Sequence, residues 1–253
     1  MSDTIADAKV APLPQPAKSW WPLALVAVVA LLAGGVFLSW PEIDLIVGGY
    51  FLRGPGRFMG GETTWVIWLR NAFIVFFWAC VLLAIVGMVR TRKDQAAWLG
   101  FAFPHWLFLG VCLGVGPGLV ANVMLKDQWG RARPKHVVEF GGNKAFTPPI
   151  LLSKQCPRNC SFVSGEASAM YVPFFAAAAL MPQSAVVLVA TGTVAGLAAG
   201  AVRIAQGGHF LSDVIFAGVA MALTVLLVRW LMFGPVFMPA VRRRLAPRGQ
   251  PTS

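Results

Sequence analysis

Six long apolar runs, separated by short polar segments, set the pattern of this chain; they fall at roughly 20–40, 65–89, 98–125, 165–181, 183–203 and 210–233. Each lies near the ~20 residues with which an α-helix crosses a bilayer. Residues 167–202 and 214–228 contain no Asp, Glu, Lys or Arg at all. The pattern predicts an all-α membrane protein, with six transmembrane helices forming one bundle over 20–233. Residues 1–19 are proline-rich without apolar periodicity and read as a flexible cytoplasmic tail. Residues 234–253, with Arg242, Arg243, Arg244 and Arg248, read as a basic cytoplasmic tail. The first run exceeds the ~7–15 residues of a signal-peptide core and is predicted to stay as an anchor. Segment 41–64 is too short and Gly-rich to span, and its apolar first half predicts an interfacial helix on the outer surface. In the fifth run, Gly192, Gly196 and Gly200 share one helical face and predict close helix packing.

Six crossings put both termini on one side. The Arg90, Arg92 and Lys93 turn, the Met181–Ser184 turn and the C-terminal arginines then share that side, while 41–64, 126–164 and 204–209 lie opposite. Compact basic clusters beside the termini assign their side to the cytoplasm. The opposite segments then face the periplasm of a bacterial inner membrane. They nevertheless carry Lys126, Arg131, Arg133, Lys135, Lys144, Lys154, Arg158 and Arg203. Charge bias does not explain that excess, whereas binding an anion does.

Composition narrows the classes. With 57% hydrophobic and 12% charged residues, the chain is too apolar for one soluble core. The net charge of +11 is split between two membrane faces without a nucleic-acid motif, so anionic membrane lipids are the expected partners and nucleic acid is not. Cys80 and Cys112 fall inside spans as packing residues. Cys156 and Cys160, in CPRNC, form a short disulfide if their compartment is oxidising and are otherwise two free thiols. No second ligand pair accompanies them, so no metal site is expected. Oligomeric state has no signature here.

Three stretches carry candidate chemistry. In AVRIAQGGHFLSDVIF, Arg203, His209 and Asp213 sit between two apolar runs. If the last helix starts near His209, then His209 and Asp213 are one turn apart on one face. An Asp accepting from one imidazole nitrogen fixes the tautomer and leaves the other as a nucleophile; a helix-end pair that merely hydrogen-bonds is the alternative. In LKDQWGRARPKH, Lys126 and Arg133, with Arg131 and Lys135 beside them, gather cations where Pro134 is predicted to break the third helix. A guanidinium fork and a point charge suit phosphate oxygens, although an interfacial patch on lipid headgroups also accounts for them. In NCSFVSGEASAM, Ser164 is a predicted N-cap before Gly165 and Glu166, and the free N–H groups of a helix start can cradle an anion. By parity all three stretches meet at the outer ends of helices three to six.

Lys126 to Pro134 matches K-x6-R-P, Ser164-Gly165 the middle of P-S-G-H, and Arg203 to Asp213 the R-x5-H-x3-D part of S-R-x5-H-x3-D. In this order the motifs resemble those of the type 2 phosphatidic acid phosphatase family of six-helix membrane lipid phosphatases, over about 65–233. The resemblance implies that Lys126, Arg133 and Arg203 hold a phosphoryl group, with Ser164 and Gly165 donating from the helix start. It implies that His209, oriented by Asp213, attacks phosphorus to form a phosphohistidine, without metal or cofactor. Val202 and Val163 depart from the family's Ser and Pro, and Glu166 replaces the histidine that protonates the leaving group. Glu166 is therefore expected to act as that acid or, ionised, to activate the hydrolytic water. The S-G-E variant is similar to some bacterial lipid A phosphatases. Lipid A, undecaprenyl pyrophosphate and phosphatidylglycerol phosphate are the candidate substrates. A lipid phosphotransferase using the same intermediate and a non-enzymatic anion transporter are the rival classes.

Overall fold

The computed structural model describes Pro12, residues 20–94 and residues 96–234. Apart from Pro12 and Gly234, the two expected tails lie outside the described residues. The elements run α1 Trp21–Ser39, α2 Glu42–Gly49, β1 Leu52–Gly54, β2 Arg57–Phe58, α3 Met59–Glu62, α4 Thr64–Asp94, α5 Phe103–Gly114, α6 Asp127–Trp129, α7 Gly165–Leu180, α8 Ala185–Ala205 and α9 Leu211–Phe233. A small antiparallel ribbon, β1–β2, is the one departure from all-α among these named elements.

Among the described residues, five helical stretches are long and apolar enough to cross a membrane: Trp21–Ser39, Thr64–Asp94, Phe103–His136, Pro182–Ala205 and Leu211–Phe233. The chain is a multi-pass membrane protein. Exposed tryptophans flank the bundle, with Trp20 and Trp21 beside the start of α1 and Trp40, Trp65 and Trp68 near the opposite end, as amphipathic rings settle at membrane interfaces. The fourth apolar run becomes α7, which has only 16 residues and so spans about 24 Å, less than a ~30 Å hydrocarbon core. It is also the most enclosed helix, packed against α8, α9, α5 and α4. Small side chains such as Ala176, Ala178 and Ala179 let those neighbours close around it.

Helix α5 continues through Val115–Lys126 into α6 with i to i+5 hydrogen bonding. Pro117 has no N–H and its ring would strike the carbonyl one α-turn back; the wider turn accommodates both defects. Contrary to expectation, Pro134 does not end this helix. Gly130, at φ +64°, ends it directly after Trp129 in the left-handed conformation that glycine tolerates. Segment 41–64 also differs from expectation. It is not a raft on the surface: Asp44 and Phe58 are buried, α2 packs on α9, and α3 packs on α8. The glycine face of α8 does pack closely. Added β-carbons at Gly196 and Gly200 would stand 2.4 Å from the Tyr171 ring and 2.1 Å from Val214, which fixes α8 on α7 and α9.

Candidate active site

The three motif stretches meet at one end of the helices. His209 lies before α9 rather than on it, because the helix begins only at Leu211. Its ring is buried. Nδ1 is 2.7 Å from the Ser161 carbonyl oxygen and 3.7 Å from Asp213 Oδ2. A carbonyl can only accept, so Nδ1 bears the proton and Nε2 keeps its lone pair. The expected tautomer-setting role of Asp213 therefore belongs geometrically to a backbone carbonyl. Burial lowers the His209 pKa to about 4; the Asp213 carboxylate opposes that fall, while the Lys126 and Arg203 charges reinforce it. The imidazole is neutral near pH 7.

Asp213 is committed elsewhere. Its Oδ2 accepts from the Phe210 N–H at 2.8 Å and from Ser161 Oγ at 2.5 Å, and its Oδ1 accepts from Arg131 Nη1 at 2.6 Å. It thereby caps α9 and holds a negative charge beside the imidazole. Arg131 is wholly buried and is no phosphate ligand. Besides Asp213 it donates to Asp44 Oδ2 at 2.8 Å, Ser212 Oγ at 2.8 Å and the Thr147 carbonyl at 2.8 Å. Its guanidinium carbon lies 4.3 Å from the Phe210 ring centre. The Lys126–Pro134 stretch thus sends its arginines two ways: Arg131 inward, Arg133 outward to Asn159.

The cations converge. Lys126 Nζ donates to Asn122 Oδ1 at 2.9 Å, and a methyl group on Gly165 would stand 3.2 Å from it, so the ammonium abuts the start of α7. Lys126 lies within electrostatic reach of Arg133 and Arg203. Arg203 donates from Nη1 to Gln206 Oε1, and its Nη2 would stand 2.5 Å from a methyl on Gly208. The Arg203 Nε is 3.5 Å from Glu166 Oε1 and lacks a hydrogen-bond partner among the described residues. Gly207, at φ +61° with Phe58 against it, forms the turn that carries the chain from Arg203 back to His209.

At the start of α7, Ser164 is the N-cap, accepting from the Ala167 N–H at 3.3 Å. Its own N–H donates to the Asp213 carbonyl at 3.1 Å. The N–H groups of Gly165 and Glu166, in the first turn, have no intrahelical acceptor and remain for an anion. Glu166 is not a lone carboxylate. Arg70 of α4 grips it, with Nε 3.0 Å from Oε2 and Nη2 2.8 Å from Oε1. This two-pronged pair suits an ionised carboxylate.

Arg70, Asp44 and Ser161 escaped the sequence reading. Arg70 left one signal, being the only charge in the 65–89 run, and an intramembrane charge is a functional residue by default. Asp44 sat in a segment read as surface helix, and Ser161 acts through its main chain, which no side-chain pattern encodes.

A lipid A 4'-phosphatase of Francisella tularensis subsp. novicida is 38% identical over 217 residues, covering 83% of this chain and 96% of that protein. Lipid A 4'-phosphatases of Rhizobium etli and Rhizobium leguminosarum are 30% and 32% identical, covering 78% of this chain and 77% and 85% of those proteins. No solved structure matches the chain significantly. The profile described as PAP2 superfamily matches residues 104–236, which run from the start of α5 past the end of α9, and the chain belongs to that superfamily.

Proposed function

We propose that this lipid phosphatase of the PAP2 superfamily hydrolyses the 4'-phosphate of lipid A at the periplasmic face of a bacterial inner membrane, through a phosphohistidine on His209 Nε2. The observation that carries the reading is the buried, neutral His209 with Nδ1–H committed to the Ser161 carbonyl. Its Nε2 lone pair is free beside Lys126 and Arg203, whose charges it feels. In the first step Nε2 bonds to phosphorus, the phosphorus–oxygen bond to the sugar breaks, and the leaving oxygen takes up a proton from water. Asp213 stabilises the positive charge that grows on the ring. Lys126, Arg133 and Arg203, with the α7 N–H groups, neutralise the phosphoryl oxygens, which is most of what such a transition state requires. In the second step water attacks phosphorus and the phosphorus–nitrogen bond breaks. Glu166, held by Arg70, accepts the water's proton.

The lipid A assignment rests on the relatives' names. An apolar groove of about 540 Å³ between α4 and α5, lined by Phe77, Trp78, Val81, Met88 and Val111, ends at Asn122, the Lys126 partner, which fits an amphiphilic substrate. In this reading α7 completes a sixth crossing and sinks the phosphate site below the membrane surface. The Cys156–Cys160 disulfide supports an oxidising compartment on the site's side.

Purified protein in detergent, given bisphosphorylated lipid A, is expected to remove the 4'-phosphate, as mapped by fragmentation mass spectrometry. Loss from another position, or preference for undecaprenyl pyrophosphate or phosphatidylglycerol phosphate, would overturn the assignment. For sidedness, cysteine at Lys144 is expected to react with a membrane-impermeant thiol reagent in spheroplasts and cysteine at Asp94 is not; the reverse pattern puts the site in the cytoplasm. Glu166→Gln is expected to lower turnover by about 10²-fold or more while phosphohistidine accumulates. Equal loss of loading and turnover, with no trapped intermediate, would make Glu166 structural.

A further inference from the structure

Cys160 stands between two residues that touch the site. On one side Asn159 accepts from Arg133, with its carbonyl oxygen 3.0 Å from Nε and 2.9 Å from Nη2 and its Oδ1 2.6 Å from Nη2. On the other, the Ser161 carbonyl accepts from His209 Nδ1 at 2.7 Å and Ser161 Oγ donates to Asp213 at 2.5 Å. The bridge from Cys160 to Cys156 closes a five-residue loop with Cα atoms 5.6 Å apart. Pro157, Arg158 and Asn159 are exposed, and the segment has neither helix nor strand. Hydrogen bonds tether the same segment: the Asn159 N–H donates to Asp127 Oδ1 at 3.0 Å and the Ser161 N–H donates to the Arg131 carbonyl at 2.9 Å. Asn159 also holds a left-handed φ of +52°, one that Asn and Gly adopt far more readily than other residues.

We infer that the Cys156–Cys160 bridge makes residues 156–161 a positioning loop, in which Asn159 sets the Arg133 guanidinium and Ser161 sets the His209 imidazole. Thiol–disulfide exchange at the mouth of the site then controls phosphate binding and nucleophile alignment together. Cys156 is partly exposed and Cys160 is buried, so an incoming thiolate attacks Cys156 Sγ and Cys160 departs as thiolate. With dithiothreitol, the resulting mixed disulfide closes on its second thiol, leaving two protein thiols and one cyclic disulfide. Once opened, the loop regains backbone freedom; Arg133 loses a fixed acceptor and Ser161 loses the covalent anchor beside it.

The inference rests on reading Arg133 as a phosphate ligand and His209 as the nucleophile, but not on which lipid is cleaved. Its test therefore uses orthovanadate, which mimics a pentacoordinate phosphoryl group. Binding to the purified full chain is measured by calorimetry, and kcat/KM on the best lipid phosphate is measured in parallel. With the dithiothreitol removed before vanadate is added, because a dithiol reduces vanadium(V), the reduced protein is expected to bind vanadate about tenfold more weakly and to lose more in kcat/KM, since both a phosphate donor and the nucleophile loosen. Reoxidation with diamide is expected to restore both. The Cys156→Ser, Cys160→Ser double variant should show the weakened values without reductant and ignore its addition. Asn159→Gly, which keeps the bridge, the carbonyl and the positive φ but loses Oδ1, is expected to weaken vanadate about threefold. Unchanged vanadate affinity and kcat/KM with both thiols alkylatable would overturn the proposal, as would a loss that reoxidation cannot reverse. If the cysteine variant does not fold, Asn159→Gly decides, and wild-type vanadate affinity in it overturns the role of the loop. Failure on lipid A with an intact redox response would sink only the substrate assignment.

Discussion

Replacing His209 by glutamine is expected to abolish turnover, by about 10⁴-fold or more, because the atom that bonds to phosphorus in the proposed reaction is gone. Glutamine is the better test than alanine. The sequence placed His209 at a helix end, and the structure buries its ring and bonds it to the Ser161 carbonyl. Alanine would leave a cavity and an unpaired buried carbonyl, costing about 1–3 kcal/mol of stability beyond any catalytic effect. Glutamine fills more of the space and carries a donor. Trapping of labelled phosphoenzyme checks the variant, and appreciable residual labelling would assign the nucleophile elsewhere. The neutral state of the ring can be read directly, since the chain has only three histidines. The nucleophile is the unprotonated form, and burial lowers the His209 pKa to about 4, so that form persists as pH falls through 6.5, where an ordinary histidine becomes charged. Nitrogen-15 histidine spectra are expected to show His209 neutral, with its proton on Nδ1, at pH 5.5. A titration near 6.5 would contradict the buried geometry.

The largest stability loss is expected from Arg131→Met. The arginine joins α2 to α9 through Asp44 and Asp213, with all three side chains fully buried. Removing one partner of such a pair leaves uncompensated charge in a low-dielectric interior, at a cost of about 3–5 kcal/mol. Here two carboxylates are stranded facing each other. Asp44→Asn should be gentler, because burial, with a contribution from Asp213, already raises the Asp44 pKa against the opposing pull of Arg131. Thermal unfolding in detergent with each variant measures the difference. Equal midpoints for Arg131→Met and wild type would show that the cluster contributes nothing to the fold.

The apolar runs were legible because membrane crossing demands length and hydrophobicity, both written in one dimension. That Lys126, Arg133, Arg203 and His209 come together was legible from their places at the ends of the apolar runs. Direction was not. Arg131 and Arg133 are two positions apart, yet one is sealed in a core cluster and the other reaches Asn159, a divergence set by the turn at Gly130 and by partners from distant segments. The Glu166 partner Arg70 is 96 positions away. The approach of Asp213 to His209 was legible from the four-residue spacing, and it survives at 3.7 Å although the helix starts after His209; the shorter bond to the Ser161 carbonyl was not. Wherever the main chain acts, as at the Ser161 carbonyl, residue identity holds no record of it.

The glycine face of α8 makes the site answerable to positions no ligand reaches. Gly196 is seven residues, about two turns, before Arg203 on the same rod. Any side chain there must displace Tyr171 or tilt the rod, since its first carbon would stand 2.4 Å from that ring. A tilt at Gly196 swings the far end, and Arg203 with it, relative to the fixed start of α7. Substitutions that eliminate activity should therefore appear deep in the hydrocarbon layer, among residues that carry no charge and make no hydrogen bond through a side chain. A mutational map of this protein would mark a stripe of intolerance along α8 leading up to the phosphate site from below.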